Sequence, residues 1–267
     1  MQRVNVNCLG AATSVLDAGQ GRPTILVHGT SSSAETGWAA LLPRLAEKRR
    51  CLAFDMIGAG QTEDPGGPIA LATLVEQVRA TASLAGDEPF DLVGYSLGAV
   101  VAAAAAAAMP GRVRRLVLLG GWAQTDVRMR LQFELWAGLS RTDKRQLGRL
   151  LLVHGLSGAF FQNSPPELIA TALDRYATVL SAGGDRQAEL DATIDIRAEL
   201  ARIQAPTLVI GMQHDRLVPP EHCRELAAGI AGARHEQLDA GHLVMLEQPD
   251  ALLRLLEQHL DTQGDLR

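Results

Sequence analysis

Asp91-Leu92-Val93-Gly94-Tyr95-Ser96-Leu97-Gly98 joins a short apolar run to the alanine-rich stretch 97–109. The first part reads as a buried strand and the second as a helix, because alanine has the highest helix propensity. A strand that becomes a helix within one residue forces that residue, Ser96, into a strained backbone conformation. Glycines two before and two after it, Gly94 and Gly98, remove the side chains that would clash in so tight a turn. The Ser96 hydroxyl is then held out of the chain at a helix N-terminus, where backbone N–H groups favour an oxyanion over a neutral oxygen. Glycine-bracketed serines also occur in ordinary tight turns, but the strand before and the helix after set this one apart.

Outward from this turn, short β-rich runs alternate with helical spacing. Residues 3–9 and 13–17 read as an opening hairpin, and 24–28, 51–55, 90–94, 113–119, 207–211 and 235–238 as six further strands. Helical spacing covers 38–48, 71–85, 97–109, 220–231 and 251–260. Apolar strands flanked by helices require crossover connections, so the fold class is α/β: a mostly parallel eight-stranded sheet with helices on both faces. The segment 121–196 breaks the alternation, being helical throughout. It holds six of the ten aromatic residues, Trp122, Phe133, Trp136, Phe160, Phe161 and Tyr176, with an internal break expected at Asn163-Ser164-Pro165-Pro166. The expected organisation is a core of 1–120 and 197–267 with a helical cap inserted as 121–196.

A serine hydroxyl is a weak nucleophile and needs a base, in practice a histidine. Of the seven histidines, His242 lies in a loop, Asp239-Ala240-Gly241-His242, between the last strand and the last helix. A base there can reach back to Ser96. His222 and His259 fall in expected helices and read as surface residues. His235 lies in a strand, and His154 in the insertion has no motif around it. The base needs a carboxylate to hold its tautomer. Asp215 follows the strand 207–211, and a carboxylate at the C-terminal end of a parallel strand points into the crevice where α/β sheets bind ligands.

Composition narrows the alternatives. The 267 residues are 47% hydrophobic and 21% charged, with 25 basic residues against 30 acidic ones and a net charge of −5. No strongly basic block is present, which speaks against nucleic acid as a partner. The apolar run 97–109 is shorter than the about 20 residues a bilayer span needs, so no membrane insertion is expected. Cys8, Cys51 and Cys223 are odd in number and far apart. They form neither a disulfide framework nor a metal knuckle and suit a reducing compartment. Residues 1–10 lack the apolar core of a secretory signal, and the simplest expected location is the cytoplasm.

Together these features resemble the α/β-hydrolases of the serine esterase and lipase type. The resemblance spans essentially the whole chain and rests on five motifs in order. These are His28-Gly29 after a strand, Asp55 with its Gly58-Ala59-Gly60 loop, the Ser96 turn, the Asp215 loop ending in Val218-Pro219, and Gly241-His242. The order Ser, Asp, His is the one the family's nucleophile elbow carries. The resemblance implies catalytic Ser96, Asp215 and His242. It also implies an oxyanion hole from the backbone N–H groups of Thr30 and Leu97, and a helical cap after the sixth strand. His28 is implied to shape the oxyanion loop. Tyr95, Trp122, Phe133, Trp136, Phe160, Phe161 and His28 are the candidates for the substrate pocket. The aromatic weighting of the cap fits a small hydrophobic ester, lactone or thioester, although the same rings can simply pack the cap. Neither a metal nor another cofactor is implied, and the number of subunits stays open.

Alternatives on the same triad are a C–C hydrolase, a lyase or a cyclase, and outside catalysis a ligand-binding protein on this fold. Haloalkane dehalogenases and epoxide hydrolases need a carboxylate where Ser96 stands. Two departures from the family pattern stand out. The loop Met56-Ile57-Gly58-Ala59-Gly60 lacks the basic residue and histidine common in relatives. The run Thr30-Ser31-Ser32-Ser33 begins with a small residue where many relatives have a bulky one. Altered packing is the simpler reading of both. The other readings are an unusual pocket for the first, and room for a larger acyl group or a mobile oxyanion loop for the second.

Overall fold

The computed structural model describes residues 1–262. Eight strands form one sheet in the order β1-β2-β4-β3-β5-β6-β7-β8. They are β1 (Gln2–Cys8), β2 (Ala11–Ala18), β3 (Pro23–Val27), β4 (Arg50–Phe54), β5 (Phe90–Tyr95), β6 (Val113–Leu119), β7 (Thr207–Met212) and β8 (Arg234–Leu238). β1 and β2 pair antiparallel, β2 runs antiparallel to β4, and every pair from β4 to β8 is parallel.

The two-residue period of the strands divides the core between the two faces. Ile25 and Val27 of β3, Leu92 of β5, and Leu116 and Leu118 of β6 pack with the helices Leu71–Ala82, Leu97–Ala108 and Pro220–Ala228. Leu26, Val93, Val117 and Leu119 point the other way, onto Trp38, Leu41 and Leu45 and the final helix Pro249–Leu260. Every residue of Leu97–Ala108 except Ala108 is buried, as its short side chains allow in a helix laid flat against a sheet.

One expected helix is corrected. Within 38–48 only the single turn Leu42–Leu45 is helical; another single turn, Ala34–Gly37, ends before the segment begins. Pro43 lacks an N–H and cannot continue a helix begun earlier, so it stands in the first turn of a new one.

Between β6 and β7 the chain runs through the helices Val127–Thr142, Lys144–Gly155, Gly158–Asn163, Pro166–Val179, Gly184–Asp191 and Arg197–Leu200. Their starts follow local chemistry. Asp126 accepts from the Met129 N–H, Asp143 from those of Arg145 and Gln146, and Ser157 from that of Phe160, while Pro166 opens the fourth helix. Outgoing and returning chains run side by side: Gln124 bridges Asp195, Thr125 N–H donates to the Ile194 carbonyl and Ile196 N–H to that of Ala123. Among the described residues no helix is long and apolar enough to cross a membrane.

Candidate active site

The loops that follow β3, β4, β5, β7 and β8 carry His28, Asp55, Ser96, Asp215 and His242, so the parallel sheet delivers all five to its C-terminal edge. Ser96 has φ 59° and ψ −123°, a left-handed conformation rare outside glycine. The neighbouring glycines make it possible. A β-carbon on Gly94 would lie 2.1 Å from the Gly98 carbonyl oxygen, and one on Gly98 would lie 2.2 Å from that of Val27. The helix therefore begins hard against the end of β3. On the other side Gly29 lies so close that a β-carbon would meet that of Ser96 at 3.0 Å. Leu97 is the first residue of its helix, and its N–H has no acceptor within that helix.

Ser96 Oγ lies 3.0 Å from His242 Nε2, and His242 Nδ1 lies 2.6 Å from Asp215 Oδ2. The other Asp215 oxygen accepts from the N–H groups of Leu217 (2.9 Å) and Val218 (2.8 Å), which fixes the carboxylate on its loop. All three residues are buried. His242 is held from several sides. Tyr95 Oη donates to its carbonyl oxygen at 2.9 Å and the Tyr95 ring lies 5.1 Å from the imidazole. Burial raises the Tyr95 pKa well above its ordinary value, so the phenol keeps its proton and stays a donor. Glu247 Oε1 accepts from the N–H groups of Gly241 (2.9 Å) and Ser157 (3.0 Å), tying the histidine loop to the helical insertion. Gly120, at φ 59°, leaves room for the ring: a β-carbon there would stand 3.2 Å from His242 Cε1.

His28 is fully buried and both ring nitrogens are engaged. Nδ1–H donates to the Gly29 carbonyl at 2.8 Å, and Nε2 accepts from the Met56 N–H at 3.0 Å. Burial lowers its pKa, consistent with a neutral ring of that tautomer. It therefore braces the β3 loop against the β4 loop. Asp55 is likewise buried, accepting from the N–H groups of Ala34 (2.8 Å) and Gln61 (2.9 Å) and from Arg3 (2.9 Å). Gly60 must be glycine because any β-carbon would overlap the Asp55 carboxylate at 2.1 Å.

The aromatic residues of the insertion named as pocket candidates divide into two groups. Trp122, Phe133 and Trp136 are buried in one row, with ring centroids 5.4 and 6.3 Å apart. Trp122 Nε1 donates to Thr125 Oγ1 and Trp136 Nε1 to Ser31 Oγ, both at 2.9 Å. Phe160 and Phe161 are half-buried on the short helix Gly158–Asn163.

Two histidines are corrected. His222 and His259 are buried, not surface residues, because each lies on the inward face of its helix beside Cys223 or Leu260. His259 Nε2 lies 3.1 Å from the Pro206 carbonyl, and burial pushes its pKa down to about 4. His154 is half-buried. The three cysteines are free and buried, and burial raises the pKa of each, that of Cys51 to about 12.

Both loops that depart from the family pattern meet the insertion. Ala59 is buried, and Gly58 lies against Gly183, whose N–H donates to its carbonyl at 2.8 Å. The 30–33 run is pinned by the insertion: the Thr30 hydroxyl donates to Asp191 Oδ2 (2.5 Å), and the Ser31 N–H donates to Gln187 Oε1 (2.8 Å). Asp191, Gln187 and Glu247 went unnoticed in the sequence. No motif marks a single acid or amide in a helix whose partner lies far along the chain.

A sequence profile of the α/β hydrolase fold matches residues 23–249. The pyrrolizixenacetamide deacetylase of Xenorhabdus hominickii is 38% identical over 262 residues, covering 97% of this chain and 98% of that one. The 2-hydroxy-6-oxo-2,4-heptadienoate hydrolase of Pseudomonas putida is 28% identical over 266 residues, 94% of this chain and 93% of its own. Among solved structures, the enol-lactonase of Burkholderia xenovorans superposes with a TM-score of 0.85 at 25% identity, covering 98% of this chain and 100% of that one. The chain belongs to the α/β hydrolase fold family, and it is a hydrolase.

Proposed function

We propose that the protein transfers an acyl group from a small, largely apolar ester, lactone, thioester or amide to water through an acyl-enzyme on Ser96. The observation that carries this reading is the hydrogen-bonded line from Ser96 Oγ to His242 Nε2 (3.0 Å) and from His242 Nδ1 to Asp215 Oδ2 (2.6 Å), beginning at a strained serine. Ser96 Oγ attacks the carbonyl carbon while His242 Nε2 takes its proton. Asp215 holds the ring in the tautomer with Nδ1–H and stabilises the imidazolium. The negative charge on the former carbonyl oxygen is met by the N–H groups of Leu97 and Thr30. As the tetrahedral intermediate collapses, His242 returns the proton to the leaving group. Water then repeats the cycle on the acyl-enzyme. Residues 121–196 act as a cap whose aromatic row favours apolar acyl groups, and 1–120 with 197–262 as the core that holds the triad.

Amides join the class because the relative from Xenorhabdus hominickii is a deacetylase. A second reading, C–C bond hydrolysis on the same triad, is favoured by the Pseudomonas putida relative. A fluorophosphonate probe, a panel of chromogenic acyl esters and N-acetyl amides, and a vinylogous 1,5-diketone separate the two. The acyl-transfer reading expects labelling and ester or amide turnover that both vanish in Ser96→Ala. Turnover confined to the diketone selects the second reading, and absence of labelling in the wild type overturns both.

A further inference from the structure

The two loops in which this chain departs from its relatives, 30–33 and 56–60, share one neighbour: the segment 181–191 of the helical insertion. Gln187 spans both, accepting from the Ser31 N–H (2.8 Å) and donating to the Ile57 carbonyl (3.0 Å). The Ser181 N–H donates to the Ser31 carbonyl at 3.0 Å, and Trp136 Nε1 to the Ser31 hydroxyl at 2.9 Å. Ser31 itself has φ 60°, a left-handed conformation that a serine keeps only when its surroundings impose it. Gly184 is what lets the segment dock, since a β-carbon there would lie 2.1 Å from Ser31 Oγ.

Asp191 closes this seam at Thr30. It is fully buried, one carboxyl oxygen takes the Thr30 hydroxyl at 2.5 Å, and the other has no hydrogen-bond partner among the described residues. Its backbone carbonyl is fixed in turn by the Thr125 hydroxyl at 2.5 Å. Thr30 follows directly on Gly29, which abuts Ser96, so a contact that anchors the Thr30 side chain also restrains the backbone from which the Thr30 N–H projects. Burial pushes the Asp191 carboxyl up to about 8, so near neutrality it stands as a neutral acid, which an asparagine can replace in shape and charge.

We propose that Asp191 is a positioning residue for the oxyanion: through the Thr30 hydroxyl it sets the Thr30 N–H, so that the docked segment 181–191, and not the sheet alone, determines the oxyanion geometry. The proposal rests on the acyl-transfer reading of Ser96. It explains why residue 30 is a threonine, whose hydroxyl reaches the insertion, and why the loop 56–60 is uncharged, since it receives the same segment. The contact is long-range, and any displacement of the insertion reaches the nucleophile through it.

The test compares Thr30→Val, Thr30→Ser, Asp191→Ala and Asp191→Asn, and the double variant of Thr30→Val with Asp191→Ala, on the chromogenic ester that wild type turns over fastest. Thr30→Val and Asp191→Ala are expected to lower kcat by about 10- to 100-fold with KM held within about two-fold, the mark of an interaction made in the transition state. The double variant loses no more than either single, because both remove one contact. Thr30→Ser and Asp191→Asn return kcat to within about three-fold of wild type, as a retained hydrogen bond requires. Should Asp191→Ala fail to fold by circular dichroism, Thr30→Val decides alone. A Thr30→Val enzyme with wild-type kcat, a loss carried by KM, or losses that multiply in the double variant overturns the proposal while leaving Ser96-dependent turnover in place. Wild type without labelling or turnover removes the Ser96 reading, and this proposal with it.

Discussion

Two helices mark the extremes of this molecule. Leu97–Ala108 starts at the strained serine and is buried at every residue but the last, whereas Pro166–Val179 in the insertion has no buried residue at all. The first is two-thirds alanine and fits flat between sheet and neighbours. The second is amphipathic, with Leu173 and Tyr176 meeting Gly148 of the adjacent helix and with Leu168 left 42% exposed. The difference separates two tasks. Atoms that must be held within a fraction of an ångström are attached to the part of the fold that cannot open without losing its core. Pro166–Val179, with no buried residue, sits at the surface, where few buried contacts oppose local opening.

This contrast can be broken by experiment. The largest effect is expected at the rigid end: Ser96→Ala lowers turnover by on the order of a million-fold with little change in melting temperature, and Asp215→Asn by about ten-thousand-fold. Steady-state kinetics beside a thermal melt checks both; a comparable loss of stability would mean the serine's main role is structural. Gly98→Ala forces a methyl group to within 2.2 Å of the Val27 carbonyl, and is expected to cost about 3 kcal/mol or to prevent folding, as read by urea denaturation. A fully stable variant would show that the approach of helix and strand is looser than this geometry.

At the seam between the two regions, Asp191 gives a pH signature. Its pKa rises from 3.8 in the unfolded chain to about 8 in the folded one because burial disfavours the carboxylate. Its contribution to stability is therefore complete below about pH 4, shrinks as the unfolded chain gives up the proton, and is lost above about pH 8. Asp191→Asn removes this dependence, so the gap in melting temperature between wild type and variant should change steadily across that window. Parallel curves would show that the acid is ionised when folded. The smallest effect is expected on the exposed helix, where Leu168→Ala should change stability by less than about 0.5 kcal/mol. A larger loss, measured by urea denaturation, would mean that Pro166–Val179 is more firmly docked than its exposure allows.

The elements legible in the sequence are those whose signal is local. All eight strands appear within one or two residues of where apolar runs and glycines put them, and the serine turn is written in eight consecutive residues. Residues 38–48 misled because apolar spacing outweighed Pro43, whose missing N–H splits the segment. His222 and His259 misled because a helix has an inward face as well as an outward one, and a single histidine does not say which it occupies. The small run 30–33 left room for a mobile loop as a reading, yet Ser31 is gripped from three places that lie far along the chain.

Local chemistry thus made the α/β class and the strand positions legible, because turns, caps and alternating burial depend on residues close in the chain, while the order Ser96, Asp215, His242 was read together with the family resemblance. The composition, at 47% hydrophobic, already required a substantial core. Only the tertiary structure decided which groups meet across long separations: Asp191 with Thr30, Gln187 with two loops at once, Glu247 with the histidine loop, and His28 with the Met56 N–H. Such pairings depend on how the insertion docks, and docking is fixed by shape over many residues, which no short stretch of sequence encodes.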